Sequence, residues 1–387
     1  MTRILRLTLW QWLFLAAMAA GAHAGYVRAV YGLGGSTNLS DSFPWGIWIG
    51  FDVLCGVGLA TGGFTLAAMV YVLNLRRYEP IVRPAIVTAL LGYVLEILAL
   101  LFDLGRPDRM WHSLVMWNPR SPMFEVAWCV ALGTVVLFLQ FLPAVLERFG
   151  LARSLKWARL TLIPLVIVGA LLSALHQSML GSLYLIVPRK LHLLWYSPHL
   201  PALFYVSAIC AGLAMTIFES WHSSKVFGRR LETPLLAGLS RPLGALLLLY
   251  AAMRAADLWQ RGVWRLAFQP RLQSYLFILE ILLVLLPIAI LIRPPDRQSP
   301  LALYSGSVMV LFGFVANRLN VSITAMQAGA VTPYFPRWTE LAATVAICAL
   351  GVAIFGLLAR RLPLYPGHPN AQPLTTHSPT FVSDELP

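Results

Sequence analysis

Stretches of about twenty apolar residues recur ten times along this chain, separated by short polar connections. A run of that length is what an α-helix needs to cross roughly 30 Å of hydrocarbon. The pattern predicts helices near 8–30, 45–73, 83–104, 122–146, 157–178, 199–221, 234–259, 272–293, 301–319 and 338–360. The fold class expected is therefore an all-α polytopic membrane protein of about ten spans. The opening "MTRILRLTLWQWLFLAAMAAGAHAGY" has the basic start, apolar middle and Ala-His-Ala of a cleavable leader. Its apolar stretch nevertheless continues to Val30, and it is read as a retained first helix. The ending "PLYPGHPNAQPLTTHSPTFVSDELP", rich in proline and polar residues, reads as a disordered tail.

Composition sharpens this picture. Of 387 residues, 58% are hydrophobic and only 12% charged, too few charges to cover a soluble protein of this size. The formal net charge of +13 could suggest nucleic acid. However, the basic residues lie between apolar runs rather than on one face, so they read as topology signals and no nucleic-acid partner is expected. One set of connections carries sixteen Lys and Arg, the other eleven, which predicts both termini in the cytoplasm. The cysteines, Cys55, Cys129, Cys210 and Cys348, sit singly in four spans. Without a Cys-x-x-Cys they indicate neither a zinc site nor an iron–sulfur cluster, and they read as small packing residues.

Each ionisable side chain inside a span costs roughly 2.5–3.5 kcal/mol on insertion scales and so requires a reason. Asp52, Glu96, Asp103, Glu125, His176, Arg254, Asp257 and Glu280 lie in or at the ends of the predicted spans. Asp103 and Arg106, like Arg254 and Asp257, are three apart and can meet on one helix face; the bland reading of each pair is a charge made tolerable by its neighbour. A weak echo links the halves: Pro80 precedes Asp103 by the same 23 positions as Pro234 precedes Asp257. Glu125 and Glu280 follow at similar spacing. A parallel duplication would give two bundles of four helices, spans 2–5 and 6–9.

The connections on the less basic side are the informative ones. "LGRPDRMWHSLVMWNPRSP" and "LGSLYLIVPRKLHLLWYSPHLP" are rich in Trp, Tyr, His and Pro. Aromatic residues there are ordinarily interfacial anchors, which covers Trp111, Trp117, Trp195 and Tyr196 one by one. It does not explain why Arg106, His112, Arg120, His176, His192 and His199 collect on the same side. A quinone does: its flat head stacks on aromatic rings, and its tail stays in lipid. Its reduction takes two electrons and two protons, which calls for imidazole and carboxyl groups near the carbonyls. "SPMFEV" starts the next helix, with Ser121 as N-cap and Pro122 at the first helical position, and Glu125 one turn inside.

"PWGIWIGFDVLCGVGLATGGFTLAAMVYVLNLRRYEPIVRPA", "LLFDLGRPDRMWHSLVMWNPRSPMFEVAWCV" and "LSALHQSMLGSLYLI" with "LHLLWYSPHLP" closely resemble NrfD-type integral membrane subunits. They look most like the HybB branch, the membrane subunits of periplasmic uptake nickel–iron hydrogenases. The resemblance spans residues 1–360, including "FVANRLNVSI" and "YFPRWTE". It implies two four-helix bundles with flanking helices, docked to an exported ferredoxin-like iron–sulfur subunit beside the hydrogenase large and small subunits. Electrons would pass to menaquinone or ubiquinone at the outer face, with no catalytic residue, metal, haem or cluster in this chain. By resemblance, Asp103, Arg106, His112, Glu125 and His176 would form the quinone and proton-relay site, with Tyr196 from the second loop. Asp52 and Glu96 would lie on a proton path from the far side, where span 4 offers Gln140, which cannot titrate.

The implied organisation is a first helix and loop (1–44), a first bundle holding the quinone site (45–198), and a second bundle (199–337). A last span (338–361) and a cytoplasmic tail (362–387) complete it. Two rivals remain at the sequence level. A haem b anchor needs paired histidines across helices, and only His23 and His176 lie well inside spans. A secondary transporter would place polar groups at the bilayer midplane on broken helices, a description that "GLATGGF" fits loosely.

Overall fold

The computed structural model describes residues 8–294, 299–330 and 332–365. Ten helices within it are long and apolar enough to cross a membrane. They are α1 (Leu9–Ser36), α2 (Trp48–Val72), α3 (Arg76–Asp103), α4 (Pro122–Arg148), α5 (Leu162–Ile186), α6 (Leu200–Val226), α7 (Thr233–Gln260), α8 (Leu272–Leu291), α9 (Pro300–Gln327) and α10 (Trp338–Arg361). The proposed tail lies mostly outside the described residues.

All ten predicted spans form, and the differences lie at their ends. Helix α3 opens with a 3-10 turn, Arg76–Tyr78, and is α-helical from Glu79 rather than near 83, because Pro80 falls in the first α-helical turn, where a missing N–H leaves nothing unbonded. Span 5 starts later than expected. Residues Ala152–Leu160 form a separate short helix carrying Arg153, Lys156 and Arg159, with Trp157 and Leu160 exposed, an interfacial arrangement. Three segments wind as π-helix: Trp48–Val53 and Ala68–Val72 at the two ends of α2, and Asn320–Thr324 in α9.

Packing is in two rings. Helices α2, α3, α4 and α5 each touch the next and close on α2; α6, α7, α8 and α9 do the same in the same order. Helices α3 and α7, which carry the sequence echo, occupy the same place in each ring. The rings join where α6 lies against α2 and α5. At the α2–α6 crossing Gly62 faces Gly212, and a Cβ on Gly62 would stand 2.4 Å from the Gly212 carbonyl oxygen. In lipid, where helix association depends on close packing, such a glycine pair lets backbones touch. Helices α1 and α10 pack together, and α10 leans on α3.

Ten alternating spans place the connections 37–47, 104–121, 187–199, 261–271 and 328–337 at one end, the aromatic end, which holds Trp45, Trp111, Trp117, Trp195 and Trp264. The other, the arginine end, holds the shorter connection 73–75 and the basic residues of 149–161 and 227–232.

Candidate functional site

The first ring encloses a group of three titratable side chains. His176 of α5 is wholly buried; its Nδ1 lies 3.0 Å from the Tyr93 hydroxyl and its Nε2 3.6 Å from Glu96 Oε1. Tyr93 and Glu96 are three apart on α3 and so share a face. Seven residues separate Glu96 from the end of α3, which puts its Cα about 10 Å beneath the aromatic end. Among the described residues, neither Glu96 carboxylate oxygen takes a hydrogen bond, nor does His176 Nε2 or the side-chain amide of Gln177. Buried polar groups left so incompletely bonded in an apolar bundle are expensive. Their presence together calls for a function.

Helix α4 connects this group to the aromatic end. Cys129 is within electrostatic reach of both Glu96 and Glu125, and Gly133 leaves room for the Tyr93 ring, 2.6 Å from where its Cβ would stand. Glu125, Cys129 and Gly133 follow at intervals of four, on one face. Glu125 itself is half-buried in the first turn of α4.

Other expected residues are placed differently. Asp103 and Arg106 do not pair. Helix α3 ends at Asp103, the chain turns extended at Leu104, and Arg106 instead forms an exposed ion pair with Asp108 at 3.1 Å. That hydrogen-bonded guanidinium holds the Asp108 carboxyl below its usual range. Arg28 of α1 donates instead to the carbonyls of Phe102 and Leu104, which leaves its charge within electrostatic reach of Asp103. His112 lies half-buried at the aromatic end, edge-on to Trp111, and Tyr196 is partly buried against the main hydrophobic core. Asp52 and Glu96, expected on a path from the far side, both lie in the aromatic half. Glu96 faces His176, while Asp52 accepts from Thr344 of α10 at 2.7 Å.

The second ring contrasts with the first because its buried carboxylates are bonded. Glu280 accepts from Trp195 Nε1 (2.9 Å), Asn317 Nδ2 (2.7 Å) and Asn320 Nδ2 (2.9 Å). Arg318 donates to Asn317 Oδ1, the Phe204 carbonyl and Ser207 Oγ, and lies over the Phe204 ring at 3.6 Å. The expected Arg254–Asp257 contact is present at 3.9 Å, but Arg261 holds Asp257 more closely, at 2.6 Å. Trp195 is therefore no interfacial anchor: it is fully buried. Glu125 and Glu280, linked by the sequence echo, differ in just this respect, since Glu280 is committed to three donors.

Sequence reasoning passed over Tyr93, Glu147, Glu219 and Arg318. Glu147 bridges Arg83 and Arg159 at the arginine end (2.8 and 2.9 Å). Glu219 accepts from Tyr365 and Ser223. The rule that an ionisable group in an apolar run requires a partner would have found three of them, but not Tyr93. A haem does not fit His176, whose ring edges face Tyr93 and Glu96 rather than an open coordination position.

Ten helices, two adjoining rings and buried titratable groups define an integral membrane subunit of the helical bundle class. The family model described as "Polysulphide reductase, NrfD" matches residues 35–330, and the chain belongs to the NrfD family. It is similar to an Escherichia coli (strain K12) protein named "Probable Ni/Fe-hydrogenase 2 b-type cytochrome subunit", 35% identical over 346 residues, 88% of each chain. It is also similar to the menaquinone reductase integral membrane subunit of Nitratidesulfovibrio vulgaris (strain Hildenborough), 28% identical over 384 residues, 89% of each. A further protein of that organism is 37% identical over 356 residues, 89% of this chain and 91% of its own.

Proposed function

We propose that this protein is the quinone-reactive membrane subunit of a respiratory oxidoreductase, receiving electrons from an iron–sulfur subunit at its aromatic end. The observation that carries the reading is the enclosed Tyr93–His176–Glu96 group, titratable and incompletely bonded, reached along α4 from Glu125. Reduction of a quinone to a quinol consumes two electrons and two protons. Imidazole, phenol and carboxyl groups in contact form a relay that can deliver protons where water is scarce. Asp103, Arg106, His112 and Tyr196 form the rim, where Arg106 and His112 are placed to meet a partner surface or a quinone head. The names of the relatives support this reading, one being a hydrogenase subunit and one a menaquinone reductase subunit. They favour a nickel–iron hydrogenase as catalytic partner and menaquinone or ubiquinone as acceptor. The surplus of basic residues at the arginine end supports that end, and with it both termini, facing the cytoplasm across the bacterial inner membrane.

The test is donor-to-quinone turnover in the purified complex. Glu125→Gln and His176→Ala are expected to lower it about 10²-fold or more, the scale of a lost proton-transfer group, while all subunits still copurify. Unchanged rates in both variants would contradict the assignment.

A further inference from the structure

A cavity of about 550 Å³ lies between α2, α3, α6 and α10, outside both rings' polar cores. None of Tyr93, Glu96 or His176 lines it. Its wall runs from Asp52, four residues into α2, to Val226, the last residue of α6, and so extends along most of the membrane's thickness. The volume lies within the range of pockets that enclose small molecules, and the lining is largely apolar and glycine.

Two of those glycines show that the space is built rather than left over. At the α2–α6 crossing glycine permits close contact, but a Cβ on Gly56 or Gly356 would meet nothing within 4 Å. Glycine weakens a helix, and here the only thing it accommodates is the slot. Val226 and Val352 in its wall are 66% and 75% exposed, so the slot opens toward the surrounding lipid, and it is too apolar to hold water well. A hydrocarbon chain is what fills it.

The polar groups say which end takes the head. Toward the arginine end Glu219 and Ser223 are bonded to Tyr365, and His222 lies 3.2 Å from the Tyr304 hydroxyl. Asp52 is different. It is 7% exposed, Thr344 occupies Oδ2, and no other hydrogen bond reaches its carboxylate among the described residues. Asp103 is within electrostatic reach, so two acids disfavour a phosphate head and favour a neutral one that donates. We propose that this slot is a second lipid site, separate from the proton-handling group, holding one polyprenyl quinol with a hydroxyl on Asp52 and its isoprenoid chain along α2 and α6. The identity of the head rests on the quinone reading above; the filling of the slot by a chain does not.

Cys348 lines the slot and is exposed, which supplies a probe. The intact complex is depleted of quinone and alkylated with N-ethylmaleimide, with and without a short-chain menaquinol, and lipids retained by untreated complex are identified by mass spectrometry. Expected are protection of Cys348 by the quinol and a retained quinol in the wild type. Retention should fall about tenfold in Gly56→Leu and, independently, in Gly356→Leu, the effect of filling a fitted pocket, and protection should be lost in Asp52→Asn. Cys348 reactivity indifferent to added quinol, or a phospholipid as the retained molecule, would overturn the proposal. Protection that persists in Glu125→Gln separates this outcome from failure of the turnover reading, because Glu125 does not touch the slot.

Discussion

At His176 an imidazole is held between a phenol and a carboxyl with no solvent contact, and Tyr93 fixes one of its nitrogens. Removing that hydroxyl leaves a buried nitrogen without its partner, so Tyr93→Phe is expected to slow quinone reduction by about tenfold or more. Steady-state turnover of the assembled complex checks this. His176 and Glu96 were legible in the sequence because a charge in an apolar run is costly. Tyr93 was not, since a tyrosine there costs little and only the fold shows what its hydroxyl meets. The Asp103–Arg106 pair was misjudged for an equally local reason: spacing of three pairs residues only while the helix lasts, and α3 stops at Asp103. On the rim, His192 takes the Leu194 amide on Nδ1. Burial, aided by Arg271, lowers its pKa from 6.5. The folded loop therefore binds its proton less readily than the unfolded chain, and the loop's stability falls as pH drops below about 6.5. Hydrogen exchange at the Leu194 amide should quicken over that window; exchange that ignores pH, after correction for intrinsic rates, would refute it.

Among the elements, the two rings use polar side chains in opposite ways. In the second, Glu280 is the common acceptor for α9 and for the loop bearing Trp195. Glu280→Ala would strand three donors in an apolar core, and a loss of about 3 kcal/mol is expected, read as a lowered unfolding midpoint of the purified protein. Turnover per assembled complex should change far less than in His176→Ala. The crossing of α2 and α6 is similarly exacting. Gly62→Leu would drive a side chain into the Gly212 backbone, and loss of the folded subunit from membranes is the expected result. That α2 begins and ends in π-helix could not be read from apolar periodicity, because π turns conserve composition and shift only register. Asp52 owes its position to the first of them.

For the whole molecule, the ten spans were visible in the sequence because bilayer thickness imposes a length that composition must satisfy. The pairing of helices into rings was visible only as an echo of prolines and acids, and the slot beside them not at all. It is bounded by the adjacent α2 and α3 together with α6 and α10 from distant parts of the chain, and its shape depends on side chains that are missing. The account's central claim is that the enclosed Tyr93–His176–Glu96 group exchanges protons with a quinone reduced nearby. Redox-induced infrared difference spectroscopy of the complex tests it most directly. The account predicts carboxyl and imidazole bands that appear with quinone reduction, and that are lost respectively in Glu96→Gln and His176→Ala. Bands identical in the wild type and both variants would contradict it.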